Sequence, residues 1–247
     1  MKNIFFILVA TLMTVHAGQI NIAVAANVSY AIDPLVKAFN SEHPETDIKL
    51  ILGSSGKLTA QIKHAAPYDL FLSANMKYPN ALYAANLSLD KPRLYAQGSL
   101  AILSVKARHD WGSLSVLQSP EIKKIAIANP KTAPYGVAAV EALKHAGVYE
   151  TLKEKFVYGE SISQTIIYAT TAADIGIVAK SSLYAPQMLK YKKGIHWSDV
   201  DESLYTPIDQ GMVILKRAEG NAEVKAFYDF MLSAKAKEIL ESFGYKV

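Results

Sequence analysis

Residues 19–73 read QINIAVAANVSYAIDPLVKAFNSEHPETDIKLILGSSGKLTAQIKHAAPYDLFLS, and the order of strand and helix patterns in this stretch indicates the fold class. It contains three short apolar runs, each bounded by turn-forming residues, and such runs predict buried strands. Between them lie two segments whose apolar side chains recur at helical spacing, as from Ile32 to Phe39. The predicted strands cover residues 19–26, 47–52 and 68–73, and the predicted helices cover residues 32–39 and 57–66. This alternation predicts a parallel sheet with helical crossovers.

The same alternation begins again in the second half of the chain. Two extended segments, residues 94–105 and 205–215, separate this second set from the elements before and after it. One long helix is predicted from Val224 to Leu240, packed back on the first set. The second set has predicted strands at residues 124–128, 156–158 and 174–179, and predicted helices at residues 135–146 and 161–170.

We therefore predict an α/β fold with two lobes, each a mainly parallel sheet flanked by helices. The chain would cross from one lobe to the other and back, and the two crossings would act as hinges. A single doubly wound domain is the alternative arrangement of the same elements. The predicted division places residues 18–100 and 207–247 in lobe 1 and residues 101–206 in lobe 2.

The N-terminus has the pattern of a cleaved export signal. Lys2 gives a positive start, residues 4–15 are almost wholly apolar, and Val15 and Ala17 are small residues at the positions a signal peptidase reads. We predict a signal peptide over residues 1–17 and a periplasmic mature protein. A buried strand or helix at the start of a cytosolic fold is the alternative.

Composition excludes several classes of function. Hydrophobic residues make up 51% of the 247 residues and charged residues 19%, a balance typical of ordered globular proteins. The formal charge is +4, but no basic run exceeds two residues, which argues against a nucleic-acid partner. The chain has no cysteine, and its six histidines form no metal-binding pair, so no side-chain metal site is expected. No catalytic motif is present either, and we predict that the protein is not an enzyme.

A short polar turn between a strand and a helix N-terminus occurs four times. A helix N-terminus has unpaired N–H groups and a partial positive charge, so several that converge on one point make an anion site. In an open α/β sheet these ends lie at the carboxyl edge of the strands. Ordinary helix capping by the same polar residues is the alternative. The four turns are at residues 26–29, 54–56, 134–136 and 160–163.

Six landmarks, in order along the chain, resemble the periplasmic molybdate-binding components of ABC importers. They cover nearly all of the predicted mature length, and their order and spacing carry the resemblance. They are residues 24–27 (VAAN), 53–58 (GSSGKL), 66–75 (APYDLFLSAN), 128–130 (ANP) with 134–136 (PYG), 175–178 (IGIV) and 224–230 (VKAFYDF). The resemblance implies a two-lobed periplasmic binding protein fold, type II-like, that closes on one tetrahedral dianion, molybdate or tungstate.

The resemblance also implies a ligand set, a partner and no catalytic role. The partner would be a membrane permease with its ATPase, the protein would be a monomer, and no cofactor would be needed. The familiar branch of the family has Ser at position 27 and a ligand Tyr at position 179, whereas this chain has Asn27 and Ala179. It is similar instead to a second branch that takes its phenol from Tyr135. Carried over by position, the ligand residues are Ala26, Asn27, Ser55, Tyr135 and Ile162, with Ser54 and Ala74 as weaker candidates.

The chemistry of the ligand supports this set. Molybdate and tungstate have two negative charges, four acceptor oxygens and no proton at neutral pH. Hydroxyls, the amide NH2 of Asn27 and backbone N–H groups would all donate to them. Sulfate, phosphate or a small organic acid are the alternative ligands, and a secreted hydrolase on the same scaffold is the alternative class.

Overall fold

The structure, a computed structural model, describes residues 18–247, and the predicted signal peptide at residues 1–17 lies outside the described residues. Ten strands form two separate five-stranded sheets. The strands are β1 (Gln19–Ala25), β2 (Asp47–Gly53), β3 (Leu70–Ser73), β4 (Arg93–Gly98), β5 (Leu100–Leu103), β6 (Ile125–Ala128), β7 (Phe156–Gly159), β8 (Ile175–Ala179), β9 (Trp197–Asp199) and β10 (Ile208–Ile214). The helices are α1 (Ile32–Asn40), α2 (Ser55–Lys63), α3 (Lys77–Ala84), α4 (Pro134–His145), α5 (Tyr149–Leu152), α6 (Ile162–Thr171), α7 (Ala222–Phe230) and α8 (Ala234–Ser242).

The two sheets have the same plan. The first has strand order β2-β1-β3-β10-β4 and the second β7-β6-β8-β5-β9. In each, the first three strands are parallel, the fourth is antiparallel to both of its neighbours, and four of the five strands therefore point the same way. The sheets are thus mixed, and the prediction of mainly parallel sheets flanked by helices is confirmed.

Helices cover both faces of each sheet. On the first sheet, α1, α7 and α8 bury one face, where the rings of Phe39 and Phe227 meet edge to face with centroids 5.0 Å apart. The opposite face is covered by α2 and α3 through Leu58 and Leu82. The second sheet is covered by α4 and α5 on one face and by α6 on the other. We call the first sheet with α1–α3, α7, α8 and the segments attached to them lobe 1, and the second sheet with α4–α6 and the segments attached to them lobe 2.

The chain crosses between the sheets twice. β4 ends at Gly98 in the first sheet and β5 begins at Leu100 in the second, so Ser99 alone links them. The return path lies between Asp199, which ends β9, and Ile208, which begins β10. The sheets assign each strand to one lobe, but they do not give the residues at which one lobe ends and the other begins. The predicted lobe boundaries therefore stay a prediction.

Two local predictions are wrong in detail, and one helix lies where none is predicted. The C-terminal helix is two helices, because Ser233 ends the run by accepting a hydrogen bond from Ala236 N at 3.2 Å and capping α8. The turn after β1 enters a 3-10 helix, Ala26–Tyr30, before α1 begins. Helix α3 was not predicted; it contains Pro79, which is tolerated in a first turn, where the missing N–H has no partner to lose.

Within residues 18–247, no helix has the length and apolar character that crossing a bilayer requires.

Candidate functional site

A small cavity lies between the carboxyl edges of the two sheets. Its volume is about 190 Å³, open mouth included, and both lobes contribute to its walls. All seven residues predicted from the sequence line it, although whether each contacts a ligand stays a prediction. The lining residues are Ala25, Ala26, Asn27, Ser54, Ser55, Ala74, Ala133, Pro134, Tyr135 and Ile162.

Three helices begin at this cavity. α2 begins at Ser55, α4 at Pro134 and α6 at Ile162, and each of these residues is in the wall. The first N–H groups of a helix have no carbonyl four residues earlier to bond, and they carry the positive end of the helix dipole. The fold therefore brings three positive helix ends from two lobes to one point, without a charged side chain.

Ser55 is oriented to donate. Its Oγ accepts a hydrogen bond from Ala74 N at 2.9 Å, so the hydroxyl proton remains free for another acceptor. The same bond occupies the N–H of Ala74, which therefore positions Ser55 rather than offering a donor of its own. Ser54, at the N-cap of α2, has a buried Oγ with no hydrogen-bond partner in residues 18–247.

Tyr135, which lines the cavity, has a second hydroxyl without a protein partner. The residue is 1% exposed, and its Oη has no hydrogen-bond partner in the part of the chain that the structure describes. Burial, followed by the nearby Tyr245, raises the pKa of the Tyr135 phenol well above its usual value. The phenol therefore stays protonated, and able to donate, throughout the physiological pH range.

The Asn27 side chain is held by a buried network. Its Nδ2 donates to Gln210 Oε1 at 2.8 Å and to Tyr245 Oη at 2.9 Å. Because Gln210 Nε2 donates to Ile208 O at 2.7 Å, the Gln210 oxygen must be the acceptor, which fixes the orientation of the Asn27 amide. In this conformation both hydrogens of the Asn27 amide have acceptors within the protein, and the expectation that they donate to a ligand stays a prediction. The backbone N–H of Asn27 remains a candidate donor.

The cavity wall carries no charge. None of its ten residues has an ionisable carboxylate, amine or guanidinium. Lys57 follows Ser55 by two residues, but its Nζ pairs with Glu160 across the lobes at 2.7 Å, and both side chains are about half exposed. In residues 18–247, no cluster of three His, Cys, Asp or Glu side chains could hold a metal ion.

A larger cavity, about 1030 Å³ with its open mouth included, lies elsewhere in lobe 2. Trp111, Asp199 and Asp201 are among its lining residues, and none of the predicted site residues reaches it. No α-helix begins among its lining residues. The candidate site is therefore identified by the hydrogen-bond donors and helix N-termini of the smaller cavity, and not by cavity size.

Gly98, at the first crossing, leaves the space that the Tyr135 hydroxyl occupies. A Cβ placed on Gly98 would lie 2.0 Å from Tyr135 Oη and 3.1 Å from Gln210 Nε2. We expect Gly98→Ala to displace the phenol, to lower the free energy of unfolding by about 1–3 kcal/mol through overpacking, and to weaken ligand binding. Thermal unfolding and calorimetric titration measure the two effects. Gly112→Ala is the matched control, because a Cβ there meets nothing within 4 Å; binding by Gly98→Ala equal to wild type would contradict the expectation.

The comparisons with known proteins first define the class. A family model described as bacterial extracellular solute-binding protein matches residues 20–246. The chain therefore belongs to a family of extracellular solute-binding proteins, which are not enzymes.

The particular family follows from individual relatives. The molybdate-binding protein ModA of Rhodobacter capsulatus is 36% identical over 93% of this chain and 88% of its own length. ModA of Azotobacter vinelandii is 35% identical over 93% of this chain and 90% of its own length. The solved structure of the Azotobacter vinelandii periplasmic molybdate-binding protein matches with a TM-score of 0.85 and 30% identity, covering 92% of this chain and 99% of that one. The chain belongs to the ModA family, and the predicted periplasmic binding protein fold is confirmed.

Proposed function

We propose that this chain binds molybdate or tungstate outside the cytoplasm and delivers it to the permease of an ABC importer. In this proposal residues 1–17 are a cleaved signal, the mature protein is a periplasmic monomer, and the importer's ATPase drives uptake. The ligand enters the small cavity between the lobes as a bare dianion. No cofactor and no catalytic step are involved.

The observation that carries the proposal is the set of uncharged donors in the cavity wall. Ser55 Oγ has its acceptor role filled by Ala74 N, and Tyr135 Oη has no protein partner, so both hydroxyls can donate to a ligand. The N–H groups at the start of α6, beginning with Ile162, add donors from lobe 2. Hydrogen bonds to charged groups are stronger than those between neutral groups, and a dianion uses every donor that the wall offers.

Fixed dipoles can replace a cation in such a site. A buried ion is costly unless its charge is compensated, and three helix N-termini compensate it without a flexible Lys or Arg. Ser54 and Ala26 complete the proposed wall. The proposed motion closes the lobes about the crossings near residues 98–104 and 205–212. In the described conformation the lobes touch beside the cavity, where Gly56 N donates to Thr132 O at 2.9 Å.

One feature of the wall favours a second candidate ligand. Asn27 Oδ1 is buried and has no hydrogen-bond partner in the described residues. A carbonyl oxygen is an acceptor only, so it would suit the proton of hydrogen phosphate better than an oxygen of molybdate. The remaining groups of the wall are donors, and the family relationship favours molybdate. Hydrogen phosphate is therefore the competitor that an experiment has to include.

A thermal-shift screen of the mature protein tests the proposal. Molybdate or tungstate at a hundred times its dissociation constant should stabilise the folded state by about 2.7 kcal/mol. Sulfate and phosphate at the same concentration should shift the melting temperature less, because neither combines the size and the proton-free charge of the proposed ligand. A larger shift with phosphate would show that phosphate is the ligand instead of molybdate or tungstate. No shift with any oxyanion would contradict the proposed function.

A further inference from the structure

We propose that two serines of lobe 2, Ser163 and Ser181, are positioning residues for the anion-binding turn of lobe 1. They contact the backbone of that turn and not the ligand. They would couple lobe closure to the donor strength of the N–H groups around Asn27. This inference rests on the proposed function, because it assigns roles in binding of the same oxyanion.

Both serines reach across the lobes to consecutive carbonyls. Ser163 Oγ donates to Ala26 O at 2.9 Å, and Ser181 Oγ donates to Asn27 O at 3.2 Å. The two carbonyls belong to the 3-10 helix that begins at Ala26, on the cavity wall. From within lobe 1, Tyr245 Oη also donates to Asn27 O at 2.9 Å, and Ser29 Oγ donates to Ala26 O at 2.7 Å. The turn is therefore held from both lobes at once.

The chemistry connects these carbonyls to the ligand. Ala26 O and Asn27 N–H share one peptide group, and Asn27 O shares the next with the N–H of Val28. A hydrogen bond to a carbonyl polarises its peptide group, so the attached N–H becomes a stronger donor. When the lobes close, Ser163 and Ser181 would thus strengthen donors on the opposite lobe. Lobe 2 would act on the anion directly through Ile162 N–H and indirectly through these hydroxyls.

Neither hydroxyl is needed by its own segment. The N-cap of α6 is Ser161, whose Oγ accepts from Gln164 N at 3.3 Å, so Ser163 does not cap the helix. After β8, it is Ser182 that closes its local turn, by donating to Ala179 O at 2.6 Å. Ser181 lies beside it, 3% exposed, with its hydroxyl directed to the other lobe. The sequence offers no local reason for a serine at positions 163 and 181, whereas the closed cleft does.

Single and double alanine variants at positions 163 and 181 test the inference, with molybdate and tungstate as probes. Each single variant should raise the dissociation constant for both anions about threefold to tenfold, and the double variant about 10- to 100-fold. The loss should appear in the dissociation rate, and the ratio of molybdate to tungstate affinity should not change. The melting temperature without ligand should stay close to wild type. Ser182→Ala is the matched control, expected to lower stability and leave affinity within about twofold.

Two results would overturn the inference while leaving the proposed function intact. One is wild-type affinity and dissociation rate in the double variant. The other is an equal fall in melting temperature with and without anion, which would make the serines structural only. If the wild-type protein itself binds no oxyanion, the proposed function fails first, and that outcome is visible before any variant is made.

Discussion

Replacing Ser54 by aspartate is expected to weaken molybdate binding by at least about a hundredfold while leaving the ligand-free protein folded. At an effective dielectric constant of about 20, the repulsion between a carboxylate and a dianion about 5 Å apart is about 6–7 kcal/mol. Half of this energy already corresponds to a loss of affinity of more than about a hundredfold. Ser54 occupies the N-cap of α2 in extended geometry, φ −70° and ψ 146°, where aspartate is a preferred residue. The substitution therefore suits the helix and opposes the ligand.

The matched control is Ser54→Asn, which keeps the N-cap preference and adds no charge. We expect its affinity for molybdate to lie much closer to wild type, and the melting temperatures of both ligand-free variants to be similar. Calorimetric titration with molybdate gives the affinities. If Ser54→Asp binds as well as Ser54→Asn, a positive charge must neutralise the site, and the uncharged cavity is the wrong description.

Replacing Tyr135 by phenylalanine is expected to weaken molybdate binding by about 10- to 150-fold, or about 1.5–3 kcal/mol, the range for a hydrogen bond to a charged group. The ligand-free protein should be as stable as wild type or slightly more so. The phenol is 1% exposed and has no hydrogen-bond partner in residues 18–247, so its removal breaks no bond within the fold. Lower affinity without lower stability is the result expected of a side chain that hydrogen-bonds to the ligand and not to the rest of the protein.

Tyr158→Phe provides the comparison for that experiment. Tyr158 lies in β7 of lobe 2, is 43% exposed and does not line the cavity. We expect this variant to match wild type in both molybdate affinity and melting temperature. Wild-type affinity in Tyr135→Phe would show that the phenol does not bind the ligand. The assignment of this chain to the branch that uses position 135 would then be wrong.

The turns that line the site could be predicted because strand ends can be located from local pattern, whereas the ligand roles of their residues come from the family resemblance. Apolar runs that stop at a polar turn place Ser55 and Ile162 at the carboxyl edges of their sheets, whichever neighbours the strands have. Tyr135 follows Pro134, and proline at the first position of a helix marks its start. These residues depend on signals within a few positions of themselves, and the structure places them on one cavity.

The partners of Asn27 could not be predicted in this way. Gln210 is 183 residues away in sequence and Tyr245 is 218 away, and neither stands in a motif. Gln210 is in β10, where an apolar pattern indicates a strand but not which side chain faces the site. Which group of Asn27 is free therefore depends on tertiary contacts. The division of the C-terminal helix at Ser233 could not be predicted for a related reason. The apolar stripe continues from α7 into α8, so the pattern gives no sign that a new helix begins.

In the proposed site a dianion is held between the lobes by uncharged donors alone. A crystal structure of the mature protein with molybdate tests this arrangement. We expect the metal centre between Ser55 Oγ, Tyr135 Oη and the backbone N–H of Ile162, with Lys57 still paired to Glu160. A lysine, an arginine or a bound cation in contact with the oxyanion, or an oxyanion bound elsewhere on the molecule, would contradict this arrangement.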